Sequence, residues 1–218
     1  MVRINSLTIA GTDPSGGAGI QADLKTFSAL GAYGTTVMTA LVAQNTHGVQ
    51  SVYDIDPAFV AAQLESVLSD IRIDSAKIGM LSNAANVAVV ADAISRYSVP
   101  YVVLDTVMIA KSGDPLLAPE AVSAVVERLL PKVSLMTPNL PEAATILRCS
   151  VAETEADMQK QGRELLSLGC EAVLLKGGHL TDCESLIGYL RGRENGVSLL
   201  PESILVILMV QGVRFPLH

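Results

Sequence analysis

The chain has 218 residues, half of them apolar and 17 % charged, with a formal net charge of −7. That apolar content excludes a disordered chain, and a pI near 4.9 argues against a nucleic-acid or anionic-membrane partner. Mean hydropathy is +0.42, yet the longest aliphatic run, 204–210, is far shorter than the roughly 18–20 residues of a membrane span.

The N-terminus carries Arg3 without an apolar signal core. Cys149, Cys170 and Cys183 are an odd number without Cys-x-x-Cys spacing, so neither a disulfide framework nor a zinc site is indicated. A cytoplasmic protein is expected.

Strand-like and helix-like stretches alternate, the pattern of an α/β fold with a mostly parallel sheet between helices. The pattern predicts strands over 4–10, 35–43, 76–78, 101–104, 134–136 and 172–175, with a short edge strand over 49–55. Helices are predicted over 18–30, 57–70, 84–97, 119–130, 141–147 and 154–168. Pro57, Pro119 and Pro141 suit a first helical turn, where the missing N–H costs nothing. Gly31 and Gly169 sit where helices stop. In such sheets ligands gather at the carboxyl ends of the strands.

The first strand opens into Gly11-Thr12-Asp13-Pro14-Ser15-Gly16-Gly17-Ala18-Gly19, with Asp23 beyond. Four glycines let backbone N–H groups approach a ligand. No Lys-Ser/Thr follows, so this is not a P-loop, and the spacing is not G-x-G-x-x-G. A substrate loop is the better reading than a plain turn.

Gln44-Asn45-Thr46-His47-Gly48 closes the second strand. The Gln44 amide can pair with a ring nitrogen and its amino group, and a polar turn serves equally well. Asp105 ends a buried strand, where it either holds metal and phosphates or caps a turn. Lys111-Ser112-Gly113 reads as a phosphate-friendly loop or as a solvated lysine.

Thr137-Pro138-Asn139-Leu140-Pro141-Glu142 puts Asn139 and Glu142 one turn apart, suited to a hydrated Mg²⁺ or to a helix cap. Lys176-Gly177-Gly178-His179 presents a cation at a strand end, suited to transferred phosphate charge. His47 and His179 are too isolated for a metal site. Met80 and Met108 read as core or pocket wall.

Taken together, the strings over 10–23, 27–34, 40–48, 77–81, 103–116, 137–142 and 176–179 resemble the hydroxymethylpyrimidine/phosphomethylpyrimidine kinases of thiamin biosynthesis, in the ribokinase-like superfamily. The resemblance covers about residues 1–183. It implies a three-layer α/β/α sandwich, a homodimer, and ATP- and Mg²⁺-dependent phosphorylation of an aminopyrimidine hydroxymethyl group and then of the monophosphate.

Carried over by residue, the resemblance has Gln44 pairing with the aminopyrimidine, and Asp23 with the Gly11 and Ala18 backbone completing that pocket. Met80 and Val107 would pack against the ring. Asp105, Asn139 and Glu142 would organise Mg²⁺ and phosphates, and Lys176 would neutralise nucleotide charge, making Lys176 and Asp105 the catalytic candidates.

Residues 184–218 depart from the family pattern, which continues with an anion-hole segment, N-T-H-G-T-G-C-T-L-S-A-A, whose cysteine (aspartate in relatives) serves as base. Read one nucleotide earlier, the codons behind residues 206–218 permit much of that string in register. A frameshift near residues 184–185 is therefore expected, dividing a kinase core, 1–183, from an aberrant tail, 184–218. The alternative is a native final strand over 204–210.

Overall fold

The computed structural model describes residues 4–108, 117–177, 187–191 and 194–199. In chain order its strands are β1 (Asn5–Ala10), β2 (Tyr33–Met38), β3 (Ala40–Asn45), β4 (Gly48–Asp54), β5 (Ser75–Ile78), β6 (Val102–Leu104), β7 (Leu135–Met136), β8 (Ala172–Lys176), β9 (Ile187–Arg191) and β10 (Glu194–Leu199). Its α-helices are α1 (Gly19–Ala29), α2 (Pro57–Leu68), α3 (Ala84–Tyr97), α4 (Pro119–Ala124), α5 (Leu140–Leu147) and α6 (Glu155–Ser167).

An eight-stranded sheet runs β10-β9-β8-β7-β6-β5-β1-β2. Pairing is parallel from β2 through β8 and antiparallel for β9 and β10. Helices flank the sheet, and β6 and the first four residues of β8 read as unbroken apolar runs. Leu7, Ile9, Ile78, Leu104, Met136 and Leu175 pack in one core with Val60 and Leu64 of α2, Val87 and Val90 of α3, and Leu165 of α6. Each such side chain contributes about 1.5–3 kcal/mol when fully buried.

Local chemistry sets the helix ends. Asp56 caps α2 by accepting the Ala58 N–H at 2.7 Å, and Asn83 caps α3 by accepting that of Asn86 at 2.9 Å. Thr154 and Asp157 form a capping box on α6. Gly31 and Gly169 follow α1 and α6 at φ +78° and +113°, the left-handed region where glycine pays no Cβ penalty.

Three expectations are corrected. The stretch 35–43 is not one strand. The backbone turns at Thr39, whose hydroxyl donates to the Met80 carbonyl at 2.6 Å while its N–H reaches the Ala10 carbonyl at 3.1 Å. The stretch 49–55 does not lie on the edge of the main sheet, because β4 pairs antiparallel with β3 in a separate hairpin. The helix expected over 119–130 is α only to Ala124; a π-turn at Val125–Leu129 and a 3-10 turn at Leu130–Lys132 follow, and Pro131 lacks the N–H an α-helix would use.

The backbone over 187–191 and 194–199 extends the sheet beyond β8, where no strand was expected. The apolar run 204–210 lies outside the described residues.

Candidate active site

The loop after β1 is shaped by Asp13. Its carboxylate accepts the Ser15 N–H and hydroxyl at 2.9 and 2.7 Å, the Gly17 N–H at 3.0 Å and the Ala18 N–H at 2.8 Å. Burial alone would raise this carboxyl, but the hydrogen bonds from Ser15, Ala18 and Gly17 outweigh it and hold the group below its ordinary range. Asp13 therefore builds the loop. The Ala18 N–H is already committed to it, and the Ala18 carbonyl accepts the Ala22 N–H at 3.1 Å, so both backbone groups of Ala18 are engaged within the protein. Gly19, at φ +56°, lies so close to the Gly11 carbonyl that a Cβ would collide with that oxygen.

Thr12 fastens this loop to the hairpin, donating its N–H to the Ala40 carbonyl at 3.0 Å and accepting the Val42 N–H at 2.9 Å. Gln44 is half-buried near the end of β3, where the β3–β4 register shifts between Ala43 and Gln44. Such bulges re-aim a side chain relative to its neighbours. The Gln44 amide has no hydrogen-bond partner among the described residues.

At the carboxyl ends of β5, β6 and β8 charges alternate. Asp23, on α1, accepts the Thr8 hydroxyl at 2.6 Å and meets the Lys77 ammonium at 3.2 Å. Lys77 also lies 3.6 Å from Asp105. The other Asp105 oxygen meets the Lys176 ammonium at 3.3 Å and the Thr137 hydroxyl at 3.4 Å. Asp23 was expected as a substrate contact; it is engaged with two protein donors. Lys77 was not singled out from the sequence, although a lysine inside the apolar strand Ser75–Ile78 is a visible signal.

Asn139 and Glu142 form the capping box of α5: the Asn139 side chain accepts the Glu142 N–H at 2.8 Å, and Glu142 Oε2 accepts the Asn139 N–H at 2.8 Å. The same Oε2 accepts the Thr106 hydroxyl at 3.0 Å. Burial pushes the Glu142 carboxyl above its ordinary range; the Asn139 N–H, the Lys176 ammonium and the Thr106 hydroxyl pull it down, and the Asp105 charge adds to the rise. Glu142 thus shares one electrostatic neighbourhood with Asp105 and Lys176. The backbone joins them as well, since the Lys176 N–H donates to the Pro138 carbonyl at 2.9 Å.

Hard oxygen donors in this set suit Mg²⁺, which keeps several waters and takes phosphate oxygens. Among the described residues no group of three or more His, Cys, Asp or Glu could hold a metal unaided. Lys176 keeps a third of its side chain exposed beside them, available to an anion. A shallow, half-open pocket adjoins Asp105 and is lined by Gly79, Leu104, Val107, Met108 and Leu117. Met80 is half-buried, and its sulfur lies where a Cβ on Gly11 would meet it at 3.4 Å.

Gly11 and Met80 thus lie close together after β1 and β5, while Asp105, Asn139, Glu142 and Lys176 meet at the ends of β6, β7 and β8, with Val107 lining the pocket beside Asp105. Lys111, Ser112, Gly113, Gly178, His179 and Cys183 lie outside the described residues. Among the described residues no helix is long and apolar enough to cross a membrane.

The sequence profile of the phosphomethylpyrimidine kinase family matches residues 13–204. The chain belongs to that family. Its enzymes are phosphotransferases, and this one is a kinase by that membership. It is 69 % identical to the hydroxymethylpyrimidine/phosphomethylpyrimidine kinase of Escherichia coli K12 over 185 residues, which cover 85 % of this chain and 70 % of that one.

Among solved structures, the phosphomethylpyrimidine kinase of Clostridium difficile 630 superposes with a TM-score of 0.86 at 41 % identity, covering 96 % of this chain and 90 % of that one. The Bacillus subtilis pyridoxal kinase, solved with ADP, gives 0.84 at 33 % identity over 99 % of this chain and 78 % of that one. The expected ribokinase-like α/β fold is therefore borne out.

Proposed function

We propose that this chain phosphorylates 4-amino-5-hydroxymethyl-2-methylpyrimidine, and then its monophosphate, with MgATP in the synthesis of thiamin diphosphate. The observation carrying the reading is the pairing of Asp105 with Lys176 beside the Asn139–Glu142 cap, at the strand ends of a member of this family.

The Gln44 amide takes the aminopyrimidine edge. Asp23 and the Gly11 and Ala18 backbone close that pocket, and Met80 and Val107 flank the ring. MgATP, when bound, supplies the phosphoryl group. Lys176 would neutralise charge on the nucleotide, and Asp105, Asn139 and Glu142 would hold magnesium through its waters. Phosphoryl transfer needs positioning and charge neutralisation more than covalent chemistry. The protein acts in the cytoplasm as a homodimer.

A second reading is a pyrimidine-binding product with little turnover. It is favoured by the sequence of 184–218, which does not carry the anion-hole string that the family resemblance implies. Oxyanion-type donors are each worth about 10²–10³ in rate. A pyridoxal-type kinase is the weaker alternative, favoured by the likeness to the Bacillus subtilis enzyme and disfavoured by the Gln44-Asn45-Thr46 segment.

The test offers hydroxymethylpyrimidine and pyridoxal together with MgATP and identifies products by mass spectrometry. Phosphorylated pyrimidine, lost in Lys176→Ala, supports the first reading. Pyrimidine bound without product supports the second, and restoring the shifted frame after codon 184 should then raise turnover. Phosphorylated pyridoxal overturns both.

A further inference from the structure

We propose that Lys77 is a positioning residue that ties Asp23, on the substrate side, to Asp105, on the phosphate side, so that a change of charge at one carboxylate is felt at the other. The inference rests on the functional reading above for what the two sides bind, and on geometry for the link itself.

Lys77 is the one charged residue of β5, a strand whose four positions are all buried, and it is itself 8 % exposed. An ammonium so placed is costly unless paired. Its two acidic partners come from different elements: Asp23 from α1, at 3.2 Å, and Asp105 from the end of β6, at 3.6 Å. The room it occupies is kept by Gly79, where a Cβ would come within 3.1 Å of both the Lys77 ammonium and the Ala10 Cβ. The row continues through Lys176, 3.3 Å from the second Asp105 oxygen.

An ion pair serving stability alone would need one acid. Here one ammonium is shared by two carboxylates, and Asp105 turns its other oxygen to Lys176 and the Thr137 hydroxyl. A nucleotide phosphate that draws Lys176 away leaves Asp105 to lean harder on Lys77. Asp23 then keeps less of that ammonium and becomes a freer acceptor for the pyrimidine. Coupling of this kind is reciprocal, and between sites it typically amounts to about 5- to 150-fold in affinity; the lower end is expected here.

The decisive readout needs no ligand. In the full chain labelled with ¹³Cγ-aspartate, the Asp23 resonance is assigned by its loss in Asp23→Asn. Its position is then compared with and without Asp105→Asn. The resonance is expected to move by more than its linewidth in the native background and in Lys77→Arg, and the response is expected to be largely lost in Lys77→Met.

An unmoved resonance in the native background, or an equal response in Lys77→Met, overturns the proposal. Should Lys77→Met fail to fold, the native and Lys77→Arg backgrounds still decide it. Calorimetry with the aminopyrimidine separates the two readings: absent binding in the native chain contradicts the functional reading, while the resonance test stands by itself.

Discussion

Asn139 and Glu142 each hold the other's backbone: the Asn139 side chain accepts the Glu142 N–H, and the Glu142 carboxylate accepts the Asn139 N–H, both at 2.8 Å. Losing the hydrogen bond that Glu142 contributes to this box costs about 1 kcal/mol. Glu142 also accepts the buried Thr106 hydroxyl, which an alanine would leave without this partner at a further ~1–3 kcal/mol. Glu142→Ala is therefore expected to lower unfolding stability by about 2–4 kcal/mol. Glu142→Gln, which keeps an acceptor of the same shape, should lose much less. Urea unfolding of the two variants checks this.

The same carboxyl fixes a pH dependence. Burial raises Glu142 above its ordinary value of 4.5, so the folded state binds this proton more tightly than the unfolded chain. The resulting stabilisation is fully present below 4.5 and is lost as pH rises through the folded value. Asp13, held below its ordinary value of 3.8, has the opposite sign: its stabilisation is present above 3.8 and lost as pH falls through the folded value. Unfolding midpoints of native chain and Glu142→Gln, followed from about pH 4 to about pH 8, should diverge in favour of the variant as pH rises. A constant gap would contradict the burial account of Glu142.

Two glycines of the same left-handed class should respond differently to alanine. Gly31, at φ +78°, has nothing within 4 Å of a built Cβ, so the cost is backbone strain of about 1–2 kcal/mol. At Gly19 the Cβ would also collide with the Gly11 carbonyl, and the loop must open to relieve it. Gly19→Ala should therefore lower Tm further than Gly31→Ala and increase proteolytic nicking within 11–19. Equal melting shifts would count against the close approach.

Lys176, partly exposed and paired with Asp105, should matter more to an anion than to the fold. Surface-type pairs contribute about 0–1 kcal/mol to stability, while hydrogen bonds to charged groups are worth about 1.5–3 kcal/mol. Lys176→Ala is expected to leave the melting temperature nearly unchanged and to weaken MgADP binding about tenfold or more, by calorimetry.

Much of the fold is legible because buried parallel strands are apolar runs and the helices carry their own stops, Gly31 and Gly169. The corner at Thr39 is not, because what turns the chain there is contact with Ala10 and Met80, far away in sequence. Residues 35–43 alone look like one strand. The strands of 187–191 and 194–199 escaped for a similar reason: β8 supplies the pairing for the first, and the first supplies it for the second.

In the site, Asn139-x-x-Glu142 reads as a magnesium organiser whose spacing also serves a helix cap, and the cap is what the geometry displays. Asp13 is visible as an acid among glycines, but its four hydrogen bonds follow from loop conformation. Lys77 is visible as a charge in an apolar strand; its sharing between Asp23 and Asp105 depends on three elements meeting.

The central claim is that the Gln44 amide recognises an aminopyrimidine, and calorimetry tests it most directly. The native chain should bind 4-amino-5-hydroxymethyl-2-methylpyrimidine in preference to pyridoxal. Gln44→Ala should weaken that binding by roughly 1–3 kcal/mol, about 5- to 150-fold, with an unchanged melting temperature. Pyrimidine binding that survives Gln44→Ala undiminished, or a preference for pyridoxal, would contradict the account.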